Sequence, residues 1–246
     1  MAITIASLIA LRDLIASTPY RPVRMISGGY PDILIRPSEI ERLLGEGVAR
    51  SLIPRPDSAG IIVWHGLTGQ LDSVPETVHF FSLLNVELTV LDIQPVRGGE
   101  ILHDLNTPLP AALTQKFDIV YDGGTLEHCF NVGQAVSNFL ALAKVNSFIY
   151  HSNLFNVPNH GFYNFCPTFY HDSYVGNGHK LLGPIQDIGG TPLEPGFATW
   201  PSTQRFKTAI GECAVTLVAQ KLHADAPRWP MQTKYQKKPA QGGMSS

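Results

Sequence analysis

The stretch Phe117-Asp118-Ile119-Val120-Tyr121-Asp122-Gly123-Gly124-Thr125-Leu126-Glu127-His128 decides how the rest of the chain is read. Its opening is aromatic or β-branched at Phe117, Ile119, Val120 and Tyr121, which suits a short strand buried in a sheet. Asp122-Gly123-Gly124 then ends the run, because aspartate bonds locally and glycine permits the turn. Just downstream, Asn131 is a candidate helix N-cap, and Val132, Val136, Phe139, Leu140 and Ala143 recur at helical spacing. A strand that turns directly into a helix is half of a βαβ unit. In such folds ligands bind beyond the carboxyl ends of the strands, so the residues there are the ones to inspect.

Outward from this stretch the same alternation continues. Val86 to Leu91 reads as a strand ending at Asp92, Ser147 to His151 as another, and Cys213 to Gln220 as a last, β-branched one. Upstream, the apolar run Ile61-Ile62-Val63-Trp64 ends near Gly66 and Gly69 and reads as the first strand, followed by a helix from about Val74 to Leu84. Short strands separated by helices predict a Rossmann-like α/β fold: a doubly wound, mostly parallel sheet with helices on both faces. Before it, Ile5, Leu8, Leu11 and Ile15 share one helical face. Pro19, Pro22 and Gly28-Gly29-Tyr30-Pro31 then break regular structure, and Ser38 with Glu41 forms a capping-box pattern that opens a helix through Leu44. Ile53-Pro54-Arg55-Pro56-Asp57 is a natural boundary. The predicted organisation is an N-terminal helical cap or extension over 1–57, a Rossmann-like domain over 58–222 with an aromatic and histidine-rich insert at 151–180, and a polar C-terminal tail over 223–246.

Composition narrows the class. Of 246 residues, 44% are apolar and only 15% charged, which excludes a solvated disordered chain and a long coiled coil. A net charge of −2 leaves no overall basic field for nucleic acid. Cys129, Cys166 and Cys213 are odd in number and lack a C-x-x-C pairing, which argues against a disulfide framework and suits a reducing, cytoplasmic compartment. The segment Ile3 to Ile15 has no basic flank and is interrupted by Arg12 and Asp13, so neither a signal peptide nor a membrane span is expected. The tail, with Arg228, Lys234, Lys237 and Lys238, is expected to be loosely attached. A homodimer through the N-terminal helix is left open.

The strand ends carry candidate chemistry. Glycines at His65-Gly66-Leu67-Thr68-Gly69 would let backbone approach a ligand closely. Asp92 could accept two hydrogen bonds from a ribose diol. Asp104-Leu105 offers an acceptor beside an apolar surface, and Asp122-Gly123 closes the next strand. Histidine takes a proton readily near neutral pH. Of the histidines, His160 is the first candidate for a general base, followed by His151 and His128. Phe162 and Tyr163 in the aromatic insert, with Tyr30 from the N-terminal segment, could wall a substrate. The competing reading is an aromatic cap that only packs. No histidine spacing resembles a metal-ligand pattern.

These residues resemble a known family. Val90-Leu91-Asp92, Asp104-Leu105-Asn106 and the stretch from Phe117 to His128 look like class I S-adenosylmethionine-dependent methyltransferases, and are most similar to the small-molecule group called type 11. Asn159-His160-Gly161-Phe162-Tyr163-Asn164-Phe165-Cys166-Pro167 resembles a subset that often accompanies surface-sugar and secondary-metabolite genes. The resemblance covers about residues 60 to 220. It implies S-adenosylmethionine as cofactor, with His65, Gly66 and Gly69 along its methionine part, Asp92 and Ile93 at the ribose, Asp104 and Leu105 at the adenine, and Asp122 and Gly123 beside the sulfonium. The implied activity is methyl transfer to an oxygen, less readily a nitrogen, of a small-molecule or sugar acceptor, with a histidine as base. Two departures stand out. The glycine motif lacks the family's acidic residue and its three close glycines, and Lys144-Val145-Asn146-Ser147 replaces a Pro-Gly-Gly turn. The first departure motivates an alternative, a catalytically inactive scaffold on the same fold that supports a partner enzyme. A third reading keeps the cofactor for a cyclase or a decarboxylase.

Overall fold

The computed structural model describes residues 1–205 and 211–236. In chain order its elements are β1 (Ala2–Ile3), α1 (Ile5–Ser17), β2 (Val23–Gly28), β3 (Asp32–Ile33), α2 (Pro37–Leu44), α3 (Glu46–Arg50), α4 (Ser58–Trp64), α5 (Thr77–Leu83), β4 (Val86–Asp92), β5 (Ile101–Leu102), β6 (Phe117–Asp122), α6 (Val132–Leu142), β7 (Ala143–Asn156), α7 (Pro167–Tyr174), β8 (Lys180–Leu181), β9 (Gln186–Thr191), β10 (Glu194–Thr199) and β11 (Cys213–Gln220). Among the described residues, nine strands form one sheet in the order β10-β9-β11-β7-β6-β2-β4-β5, with β8 beside β11. The pairs β7–β6, β6–β2, β2–β4 and β4–β5 are parallel, while β11 and its outer neighbours run antiparallel.

Alternation along the strands explains the layers. Met25, Ile119, Tyr121 and Tyr150 project to one face and pack with Leu8 and Leu11 of α1 and Phe80 and Phe81 of α5. Ile26, Val120 and Ile149 project to the other face, against Phe139 and Leu140 of α6 and Tyr170 and Tyr174 of α7. Side chains alternate with period two in a strand, so a sheet with helices on both faces needs apolar residues at consecutive positions. This is the expected doubly wound Rossmann-like sheet. The N-terminus is fastened to it by the stacked rings of Tyr121 and Tyr150, 5.1 Å apart. Their hydroxyls donate to Ala2 O at 2.9 Å and Ser7 Oγ at 3.0 Å.

Several expectations need correction. The central strand is β2, not Ile61–Trp64, which lies in α4. Every residue of β2 except Arg24 is buried, as a central parallel strand requires. In α4 only Ile62 is buried, and Trp64 is 85% exposed. A short apolar run does not distinguish strand from buried helix by periodicity, and here the one-sided burial is helical. The boundary at residue 57 therefore fails: the segment 1–57 contains the middle of the sheet. Residues 53–76 instead belong to an insertion between β3 and β4, where Ile62, Leu67, Leu71 and Val74 cluster with Leu34 and Leu193. α2 starts at Pro37 without a side-chain cap, so the Ser38–Glu41 capping box does not form. The expected insert at 151–180 is in part β7, which continues to Asn156.

The C-terminal tail is attached as far as it is described. Asn177 exchanges hydrogen bonds with the Arg228 backbone at 3.0 and 2.7 Å, and Thr233 N–H donates to Asp172 Oδ2 at 2.9 Å. Lys237 and Lys238 lie outside the described residues. Among the described residues no helix is long and apolar enough to cross a membrane.

Phe139 is fully buried and lies where the end of β2 meets α6; a Cβ on Gly28 would stand 3.1 Å from its ring. Phe139→Ala should lower the unfolding free energy by about 3–5 kcal/mol in urea denaturation. A loss below about 1 kcal/mol would contradict this packing.

Candidate active site

In the sheet order, the chain leaves β2 toward β4 on one side and returns to β6 on the other. This reversal opens a crevice at the carboxyl ends of β2, β4 and β6. A cavity of about 350 Å³ occupies it, lined among others by Gly29, Tyr30, Asp92, Asp104, Thr125 and His128. Its floor is the turn after β2. Gly29 has φ +83°, a conformation that favours glycine, and a Cβ there would stand 2.3 Å from Met1 Cε. Thr125 joins this turn to the one after β6, since its hydroxyl donates to Gly28 O and its N–H donates to Asp122 Oδ1 at 2.9 Å.

Two carboxylates face the cavity from the next loops. Asp92 Oδ1 accepts the Gln94 N–H at 3.1 Å. Its Oδ2 turns to the glycine, 3.7 Å from where a Gly29 Cβ would stand. Asp104 Oδ1 accepts from Asn106 N–H at 2.9 Å and from its side-chain amide at 2.8 Å. Asn106 Oδ1 in turn accepts the Asn131 N–H at 2.7 Å, and Asn138 donates to Leu105 O and Thr107 O at 2.9 and 2.8 Å. The loop carrying Asp104 and Leu105 is thus held against the start of α6. Ile93 and Leu105 line the cavity as apolar surface, with His103 and Asn106 beside them.

Beneath the cavity lies a buried polar frame. Asp122 and His151 are both fully buried and 2.7 Å apart, and the other His151 nitrogen lies 2.5 Å from the Tyr174 hydroxyl. Alongside, Glu127 accepts from the Asn153 amide at 2.8 Å, and Asn153 Oδ1 accepts the Tyr170 hydroxyl at 2.5 Å. Burial, with the charge of Asp122, pushes the Glu127 carboxyl up to about 7. His151 is therefore not the expected base. Its ring has no access to a substrate, and both nitrogens are engaged in holding the turn after β6.

Of the other two histidines, His128 lines the cavity, while His160 is exposed outside the lining and stands beside His128. His128 and His160 have ring centroids 5.5 Å apart, and burial, then the neighbouring His160, lowers the His128 pKa below its usual value. Their segments are clamped together. Phe162 N–H donates to Glu127 O at 2.8 Å, Tyr163 OH donates to Phe130 O at 2.9 Å, and a Cβ on Gly161 would come within 2.8 Å of Glu127 O. Phe162 is consequently exposed next to His160, whereas the Tyr163 hydroxyl is used internally.

The remaining sequence-based assignments divide clearly. Asp92, Ile93, Asp104, Leu105 and Tyr30 line the cavity. His65, Gly66 and Gly69 do not. His65 caps the end of α4 with Nε2 3.1 Å from Asp32 Oδ2, and the space around Gly66 and Gly69 is open. Asp122 and Gly123 lie beneath the lining, which Gly124 and Thr125 supply instead; a Cβ on Gly123 would stand 2.6 Å from the Tyr121 ring. Tyr30 is a wall and not an acid–base group. The Arg55 and Arg97 guanidiniums each sit 5.2 Å from its ring, and burial together with Glu76 drives its hydroxyl pKa up. Sequence reading missed Thr125, His103 and Asn106 as lining residues, and took the Gly29–Tyr30 segment for a cover of the pocket where it is the floor. The available signal was Ser27-Gly28-Gly29 directly after Val23, Met25 and Ile26.

No protein-family profile matches this sequence, and no curated protein does. Solved structures resemble the chain at low identity. The 1,6-didemethyltoxoflavin-N1-methyltransferase of Burkholderia thailandensis, with bound 1,6-didemethyltoxoflavin and S-adenosylhomocysteine, is 13% identical over 87% of this chain and 77% of that one, at a TM-score of 0.45. YcgJ of Bacillus subtilis is 11% identical over 88% and 99%, at 0.45. TehB of Haemophilus influenzae is 13% identical over 58% and 52%, at 0.39, so the chain spans about half its length. At these TM-scores the likenesses assign nothing to this chain, and its chemistry has to come from its own residues.

The raised Glu127 carboxyl gives a pH signature. It titrates at about 7 when folded and near 4.5 as an ordinary carboxyl. Between those values the folded state binds more protons, so this residue's contribution to stability falls as pH rises. Urea denaturation at several pH values should show wild type losing stability relative to Glu127→Gln across that window. A difference independent of pH would contradict the assignment.

Proposed function

We propose that the protein is an S-adenosylmethionine-dependent methyltransferase acting on an oxygen of a small-molecule or sugar acceptor, with His160 as general base. The observation that carries this reading is the charge and backbone of the cavity. Two carboxylates, Asp92 and Asp104, face it, and no lysine or arginine lines it among the described residues. The turn after β2 runs through Tyr30-Pro31 into β3, with no helix starting at the glycines. A dinucleotide pyrophosphate is held at a helix N-terminus at that turn, which this turn lacks. A nucleoside carrying a positive sulfonium suits the same surroundings. Asp92 Oδ2 is free to take a ribose diol, and Leu105 offers an apolar face to an adenine with Asp104 at its edge.

When bound, the cofactor supplies an activated methyl group on a sulfonium. The protein's part is binding, alignment and proton removal. Gly29 lets the ligand approach the backbone, and Thr125 fixes the spacing of the two turns. Alignment of acceptor and methyl group accounts for much of the rate in such transfers. His160 would accept the acceptor's hydroxyl proton on an imidazole nitrogen. Burial and the neighbouring His160 lower the His128 pKa, which favours its neutral form.

One observation supports a second reading, a scaffold that turns nothing over. Asp32, the first carboxylate after Gly29 in the chain, is engaged by Arg55 and His65. Binding of S-adenosylhomocysteine discriminates the two. In calorimetric titrations Asp92→Ala should weaken that binding at least tenfold, the order expected for losing a paired hydrogen-bond acceptor. His160→Ala should keep the affinity within about twofold and lower turnover roughly a hundredfold. Unchanged affinity in the first variant or unchanged turnover in the second would contradict the assigned roles.

A further inference from the structure

Beside His160 the surface is unusually aromatic and unusually poor in charge. Phe130 and Phe162 are 70% and 65% exposed and meet edge to face with centroids 5.5 Å apart. They continue the His128–His160 pair, so four rings from two clamped segments extend outward from the cavity lining. Exposed rings held rigidly next to a cavity signal a ligand contact more than chance packing. We propose that this ledge binds the acceptor, and that the acceptor is an uncharged planar aromatic hydroxyl compound. The proposal rests on the methyl-transfer reading and narrows its substrate class.

The polar inventory of the ledge selects against other acceptors. Neither 126–131 nor 157–166 contains a lysine or arginine, and their one acidic residue, Glu127, is buried beneath. A phosphorylated or cationic acceptor would find no countercharge there. The Tyr163 hydroxyl is spent on Phe130 O, and Asn164 Oδ1 accepts the Val157 N–H at 2.8 Å. Beyond the exposed Asn159 amide and the two imidazoles, a sugar would surrender water from several hydroxyls and regain few partners, which costs free energy for each one left unpaired. An aromatic ring loses little water and gains edge or face contacts with both phenyl groups. One hydroxyl on that ring is enough to meet the His160 imidazole.

The test uses 2-naphthol, followed by its own fluorescence, and methyl α-D-glucopyranoside as the sugar probe, each titrated with and without S-adenosylhomocysteine. 2-Naphthol should bind, the glucoside should not, and Phe130→Ala/Phe162→Ala should weaken naphthol about tenfold, as loss of two ring contacts implies. Both side chains are exposed, so the variant should fold, and its S-adenosylhomocysteine affinity should stay within about twofold of wild type. Naphthol binding unchanged in the double variant, or glucoside bound in preference to naphthol, overturns the proposal. If naphthol binds through the ledge while S-adenosylhomocysteine does not bind at all, the cofactor assignment fails and the ledge stands.

Discussion

One hydrogen bond sets the geometry on which the site depends: Thr125 Oγ1 donates to the Gly28 carbonyl and ties the end of β2 to the turn after β6. These two strands flank the point where the sheet reverses direction, so their separation fixes the width of the crevice. A glycine turn without a side chain forms one wall and the Gly124–Thr125 backbone the other. The Asp122 carboxylate holds Thr125 from below by accepting its N–H. If that connection changed, Asp92 and Asp104 would still be present but would no longer face one ligand.

The turn after β6 is stiff because it stands on buried polar chains that are satisfied internally. Asp122, His151 and Tyr174 form one, and Glu127, Asn153 and Tyr170 the other. Buried polar groups are costly when unpaired, so such chains favour one arrangement and penalise neighbouring ones. Both run from β7 to α7, and the tail is bonded to Asp172 and Asn177 around that helix. The same frame presents His128 and the 160–162 segment at the cavity edge, which links a structural requirement to the placement of the candidate base.

Much of this was legible in the chain. The strand over 117–122, the Asn131 cap and the stripe Val132, Val136, Phe139 and Leu140 of α6 occur where expected, while Ala143, the last residue of that stripe, already begins β7. The centre of the sheet was not. Ile61–Trp64 is more apolar than Val23–Gly28, which carries Arg24 and Ser27, and a short run gives no period by which to separate helix from strand. That error displaced the glycine turn from 28–29 to 66–69 and split the domain at a proline-rich loop inside it. His151 was misjudged for a related reason. Sequence shows a histidine's chemistry but not that an aspartate and a tyrosine, far off in the chain, already use both of its nitrogens.

The proposed methyl transfer requires its cofactor to rest on the turn after β2. The most direct measurement compares Gly29→Ala with Gly69→Ala in calorimetric titrations of S-adenosylhomocysteine, with folding verified by circular dichroism. Both glycines have positive φ, but only Gly29 lines the cavity. Gly29→Ala should lose binding and Gly69→Ala should retain it. Loss in Gly69→Ala with retention in Gly29→Ala would move the site to the helical insertion and contradict the account.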